Sequence, residues 1–172
     1  MYDAEIGNHQ LNSNTFSERM LFDTGTSYIY IPFATYNQII TQIVENRHCT
    51  YDSAVDIWSC PCPTSSADDY LKLKFQIGNF LTKYWLQLRS EHYMWFNSKT
   101  ERCEILIRPE YDLDHWLMGD PFFLAYYTIY DLESKSPRIG FVGEASSAAT
   151  MDGQVRHNMD ITQLNYKDMF AI

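Results

Sequence analysis

Short apolar runs broken by polar turns dominate the chain, and most are strand-sized rather than helix-sized. Residues 20–31, MLFDTGTSYIYI, are two apolar runs around a glycine turn and predict strand, tight turn, strand. Leu71, Leu73, Phe75 and Ile77 alternate strictly with polar residues, so residues 70–77 predict a strand buried on one face. Gly78-Asn79 is a hairpin signal, and residues 80–88 continue as the partner strand. Further strands are expected at Cys103–Arg108, at Trp116–Gly119, and at Tyr127–Asp131 and Arg138–Val142, the last two joined by the turn ESKSP. Helical spacing is confined to two places. Tyr36, Ile39, Ile40 and Ile43 share one helix face, with Pro32 suited to the start. Phe122–Tyr126, after Pro121, predicts a second, shorter helix.

The remaining stretches lack a period. Residues 1–19 are a polar, loop-like lead-in, and residues 46–69 carry three cysteines, Pro61, Pro63 and a Ser/Asp run, with one short strand expected at Ile57–Cys60. Residues 146–172 turn small and polar, then rich in Met, Asp and Asn, and predict a tail. The expected organisation is a polar N-terminal segment (1–19), one domain (20–145) and a tail (146–172). The fold class is all-β: mainly β, with a few short helices.

Composition narrows the function classes. The chain has 172 residues, the size of one domain, and its hydrophobic fraction of 45% can build a core. Its 22 acidic against 13 basic residues, net −9, exclude a general nucleic-acid grip, which needs a basic stripe to displace counterions. No stretch approaches the roughly 20 consecutive apolar residues of a membrane span. The opening MYDAEIGNHQ has neither the basic nor the apolar region of a signal peptide. Cys49, Cys60, Cys62 and Cys103 contain no paired C-x-x-C and make a poor zinc signature. Two disulfides formed in an oxidising compartment fit better, and spacing leaves their pairing open. Disulfides without a leader point to the back part of a longer precursor. His9, His48, His92, His115 and His157 are scattered, so no metal or cofactor is expected. Asp112, Asp114 and Asp120 near His115 suit a solvated loop.

Two motifs carry candidate chemistry. Asp23-Thr24-Gly25-Thr26-Ser27 lies between two apolar strands. A plain turn would explain the glycine, but a carboxylate placed among core strands is costly unless something satisfies it. Trp116-Leu117-Met118-Gly119-Asp120, followed by Pro121-Phe122-Phe123, is a buried strand ending in a turn. Together they resemble the C-terminal lobe of pepsin-like aspartic proteases, in which a DTG loop and a later apolar-apolar-Gly strand build a psi-shaped loop. Pro32, the hairpin Phe75-Gln76-Ile77-Gly78 and Tyr93 fit that pattern. So does Tyr126-Tyr127-Thr128-Ile129-Tyr130-Asp131, which is similar to the family's R-x-Y-Y-x-x-F-D strand, and Arg138-Ile139-Gly140-Phe141, similar to its closing strand.

The resemblance implies roles. Asp23 corresponds to the second catalytic aspartate and Thr24 to the threonine that bonds across to the partner lobe. Gly25 lets the loop turn, and Thr26 bonds the outer carboxylate oxygen. Leu117 and Met118, ahead of Gly119, would line the primed side of the cleft. Cys60–Cys103 corresponds to the disulfide of this lobe, with Cys49–Cys62 as a second. The implied activity is aspartic endopeptidase, cleaving peptides with apolar residues around the scissile bond. The implied setting is the secretory pathway, a lysosome or vacuole, or the extracellular space.

One departure limits the expectation. The family uses two DTG/DSG loops, and this chain has one; Met151-Asp152-Gly153 lacks the hydroxyl residue and the strand context, and no flap hairpin is present. Three readings follow. The chain is the C-terminal portion of a full protease whose N-terminal lobe comes from the same precursor, which is the preferred reading. It is a symmetric dimer in the manner of retroviral proteases, with a second copy giving the second aspartate. Or it is a catalytically inactive half-domain that binds peptides or proteins.

Overall fold

Alternation with period two sets the longest strands, and the structure, a computed structural model, follows it. It describes residues 1, 3–11, 19–64, 70–78, 83–112, 114–132, 137–143, 150–151 and 154–155. The chain opens with strands β1 (Asp3–Ile6), β2 (His9–Gln10), β3 (Arg19–Phe22) and β4 (Ile29–Pro32), then helix α1 (Phe33–Val44). Next come β5 (Thr50–Asp52), β6 (Ile57–Cys60), β7 (Leu73–Gly78) and β8 (Lys83–Leu88). A single turn, α2 (Ser90–Tyr93), leads into β9 (Met94–Asn97), β10 (Arg102–Ile105), β11 (Ile107–Glu110) and β12 (His115–Met118). Helix α3 (Asp120–Ala125) precedes β13 (Tyr126–Asp131) and β14 (Arg138–Gly143), and two short strands follow, β15 (Thr150–Met151) and β16 (Gln154–Val155).

These strands form a six-stranded sheet (β16-β15-β8-β7-β1-β2), two four-stranded sheets (β5-β6-β10-β9 and β11-β4-β12-β3) and the ribbon β13-β14. The protein is thus mainly β with short helices, as the pattern implies. On β7 the residues Leu73, Phe75 and Ile77 are buried while their neighbours are half-buried. Helix α1 turns Tyr36, Ile39, Ile40 and Ile43 inward, and Pro32 caps it where a missing N–H costs nothing. The aromatic centre of the core is Phe122, whose ring centroid lies 4.8 Å from Phe22, 4.9 Å from Tyr126 and 5.2 Å from Phe141.

The structure departs from expectation in four places. The lead-in is not all loop: β1 pairs with β7 and buries Ala4 and Ile6. Two buried positions make too short an alternation to stand out. The strand expected over 103–108 breaks at Leu106, whose N–H donates to Tyr93 O (2.8 Å) while its own carbonyl accepts from Ile29 N–H (2.9 Å). That residue passes the chain from one four-stranded sheet to the other. From the expected tail, β15 adds to the edge of β8 and β16 pairs with β15. The rest of that tail, the hairpin turn at 79–82 and residues 133–136 of the ESKSP turn lie outside the described residues.

The fourth departure corrects the disulfides. Cys49 pairs with Cys60, and Cys62 with Cys103, in place of the expected Cys60–Cys103 and Cys49–Cys62. Strand register explains it. Thr50 faces Ser59 across β5 and β6, so Cys49 falls opposite Cys60 on one side of β6. Cys103 faces Cys60 on the other side, and with that partner taken it joins Cys62, diagonally one step along. The Cys62–Cys103 bridge closes 41 residues and the Cys49–Cys60 bridge closes 11. Chain-entropy arithmetic makes the first worth about 4 kcal/mol and the second about 3 kcal/mol. We therefore expect Cys62→Ser with Cys103→Ser to lower the urea midpoint more than Cys49→Ser with Cys60→Ser. The reverse order would show that native-state effects outweigh loop length.

Candidate active site

The loop 23–28 joins β3 to β4, yet these strands are not neighbours. β12 runs between them, parallel to β3 (Leu117 opposite Leu21) and antiparallel to β4 (Leu117 opposite Tyr30). A loop that straddles a third strand must pass close over its end. Gly119 is where it passes: a Cβ there would stand 2.1 Å from Thr26 O and 2.4 Å from Tyr28 O. The crossing is fastened on both sides, by Asp23 N–H to Met118 O (3.0 Å) and Asp120 N–H to Thr26 O (2.8 Å).

The fastened loop presents Asp23. Its Oδ1 accepts from Gly25 N–H at 2.9 Å and its Oδ2 from Thr26 Oγ1 at 2.7 Å. Both oxygens are therefore engaged by groups of the loop itself, and Asp23 stays half-buried. Hydrogen bonds to the charged form favour it: the Thr26 hydroxyl, then the Gly25 N–H, hold the Asp23 carboxyl below its usual range, with slight desolvation acting the other way. A carboxyl whose pKa falls on folding lends stability above its unfolded value and loses it as pH falls through the folded value. Thr26→Val removes the larger cause while keeping the shape. We expect the Asp23 pKa in that variant to rise toward the ordinary carboxylate value, read by carbon-detected NMR. An unmoved titration would show that the Thr26 bond is absent in solution.

The residues expected around Asp23 divide by strand alternation. Thr24, on the same loop, is exposed. Leu117 is half-buried on the same side of the sheet as Leu21, which is 51% exposed. Met118 is corrected: it points into the core and is fully buried, so it does not line an open surface. Adjacent residues on one strand take opposite faces, so Leu117 and Met118 could not both do so. Asp114 is ion-paired to Arg19 at 2.8 Å, both exposed, as suits a solvated loop. Among the described residues, no cluster of His, Cys, Asp and Glu could hold a metal, and no helix is long and apolar enough to cross a membrane.

Two features were not singled out from sequence. The Tyr130 hydroxyl donates to Phe22 O at 3.1 Å, on the residue before Asp23. Beside the loop lies an apolar cavity of about 430 Å³, lined by Ser27, Tyr28, Trp95, Leu106, Asp120, Phe123 and Leu124. Its walls come from four separated segments, so no local pattern could announce it.

The family model described as eukaryotic aspartyl protease matches residues 1–143. Aspartic protease 17 of Caenorhabditis elegans is 32% identical over 127 residues, covering 72% of this chain and 29% of that protein. Aspartic proteinase 3 of Saccharomyces cerevisiae is 26% identical over 131 residues, covering 76% and 21%. Secreted aspartic protease 7 of Candida albicans is 26% identical over 117 residues, covering 66% and 18%. The chain thus spans less than a third of the length of the curated relatives it matches. The match begins at residue 1, which agrees with β1 belonging to the same sheet as β7.

Proposed function

The chain belongs to the eukaryotic aspartyl protease family, and from that premise we propose that it is the lobe of an aspartic endopeptidase that supplies one of two catalytic aspartates, Asp23. The observation that carries this reading is the carboxylate itself. It is held at both oxygens by Gly25 and Thr26 on a psi-shaped crossing, on a residue that stays partly exposed.

One carboxylate does not make this active site. Two carboxylates within a few ångströms cannot both ionise, as is general for aspartic-protease dyads, so they share one proton across a water. The ionised member acts as general base on that water, which attacks the peptide carbonyl. The protonated member polarises the carbonyl and then donates its proton to the leaving amine. The pair titrates jointly, so neither apparent pKa belongs to one residue. In this reading Asp23 meets its counterpart from an N-terminal lobe, and Thr24, exposed on the same loop, reaches across to that lobe. The Thr26 and Gly25 bonds bias Asp23 toward the ionised, base role. Substrates are peptides in extended form, with apolar side chains near the scissile bond. Two disulfides and the acidic surface fit an oxidising, secretory or acidic setting.

The test is reconstitution. The chain is assayed alone, and again with an N-terminal aspartic-protease lobe, against an unfolded protein at acidic pH. Pepstatin-sensitive cleavage by the pair supports the reading. Equal cleavage by the chain alone, with dimers in solution, favours the symmetric arrangement. Inertness of every assembly, despite a folded chain, leaves a peptide-binding half-domain.

A further inference from the structure

The peptide unit between Phe22 and Asp23 is gripped at both polar ends. Its N–H, belonging to Asp23, donates to Met118 O at 3.0 Å. Its carbonyl, belonging to Phe22, accepts from the Tyr130 hydroxyl at 3.1 Å. These partners stand on different sheets: Met118 on β12, Tyr130 on the ribbon β13-β14. A peptide unit is planar, so two anchors at opposite ends fix its rotation. That rotation sets the direction of the next Cα–Cβ bond, which is where the Asp23 carboxyl starts. The Phe22 ring is held separately, with centroids 4.8 Å from Phe122 and 4.7 Å from Phe141. Ring packing fixes the strand's depth, but leaves the peptide plane after it to its hydrogen bonds.

Tyr130 lies on β13, 108 residues from the carbonyl it reaches. Its side chain is 44% exposed, so it sits on the open side of the domain. Its phenol titrates above the ordinary range, through burial first and the negative charge of Asp23 second, which sets the two groups within electrostatic reach.

We infer that Tyr130 is a positioning residue for the Asp23 carboxylate: its hydroxyl locks the Phe22–Asp23 peptide plane, and so keeps the carboxylate oxygens in register with Gly25 N–H and the Thr26 hydroxyl. Tyr130 acts through Phe22 and takes no part in the chemistry. Water can replace the lost hydroxyl at a half-exposed carbonyl, so global stability changes little. A mobile water does not hold the plane, so the change appears at Asp23. The catalytic consequence rests on the protease reading above; the positioning does not.

Tyr130→Phe, made in the full chain, removes one oxygen and keeps the ring. The Asp23 pKa is expected to rise toward the ordinary value. Hydrogen exchange at the Gly25 amide, whose acceptor is Asp23 Oδ1, is expected to quicken by about 2- to 10-fold, the range one net hydrogen bond supports. The melting temperature should scarcely move. Tyr130→Leu, lacking the ring as well, is the comparison. If Tyr130→Phe titrates and exchanges like wild type while Tyr130→Leu does not, the ring alone matters and the inference fails. In an assembly that cleaves peptide, Tyr130→Phe should lower kcat by about 2- to 10-fold with KM unchanged. Absence of cleavage in any assembly counts against the protease reading, and the Asp23 titration still decides the role of Tyr130.

Discussion

Gly119→Ala is expected to destabilise the chain by about 3 kcal/mol or more, at and beyond the upper end of what overpacking a packed interior costs. The cause is not backbone freedom. The residue has φ −97°, which any amino acid adopts. The conflict is between the added methyl and two backbone oxygens, at 2.1 Å from Thr26 and 2.4 Å from Tyr28. A clash with a flexible side chain is relieved by a rotamer change; a clash with main chain is relieved only by moving the loop. The Thr26 carbonyl also accepts the Asp120 N–H, so displacing it breaks a fastening of the crossing. Gly25→Ala is the built-in comparison. There the methyl meets only Asp23 Oδ1, at 3.2 Å on an exposed loop, and the effect on stability should be small. Urea titration followed by circular dichroism measures both. A cost for Gly119→Ala below about 1 kcal/mol would mean that the loop does not cross β12 as described.

The same contrast shows why some of this protein is legible in its sequence and some is not. Strands with three or four alternating apolar residues, such as Leu73, Phe75 and Ile77, announce themselves because one face must be buried. Helix α1 does so through Ile39, Ile40 and Ile43. The Asp23 loop stood out because a charged residue among core strands needs an explanation, and the Gly25 and Thr26 bonds supply it. Strand β1 is not legible because Ala4 and Ile6 alone make no pattern; its burial comes from pairing with β7, far along the chain. The disulfide pairing is not legible for a similar reason. Cys60 and Cys103 are indeed cross-strand neighbours, but Cys60 has Cys49 on its other side, and only the sheet order shows which side wins. Tyr130 reads from sequence only as part of the strand Tyr126–Asp131, because a tyrosine in a strand is ordinary. Its meaning lies in one hydroxyl reaching a carbonyl 108 residues earlier. Local periodicity records burial; it does not record which backbone atom a buried or half-buried group will meet.

Asp23→Asn should abolish peptide cleavage in any assembly that shows it, by about 10²- to 10⁴-fold, since on the proposed reading it removes a group that serves as general base or acid. The substitution is suited to this site because it leaves the fold intact. Asparagine can turn its amide oxygen to the Gly25 N–H and donate its amide hydrogen to Thr26 Oγ1, whose hydroxyl rotates to accept. The loop keeps both bonds and loses only the charge and the titration. Two pH effects follow. Wild type loses the carboxylate's contribution to stability as pH falls through the depressed Asp23 pKa, whereas Asp23→Asn has nothing to lose there, so their stability difference should narrow on acidification. Activity should show an acid limb set by the pair of carboxylates, and weakening the strongest bond to Asp23, as in Thr26→Val, should move that limb to higher pH. Retention of more than about a tenth of wild-type cleavage by Asp23→Asn is far outside what loss of a general base permits, and would remove Asp23 from the chemistry. If binding of an uncleaved peptide is unchanged in the same variant, the loss lies in the reaction and not in the cleft, because the charge is needed to take a proton from water rather than to hold the chain in place.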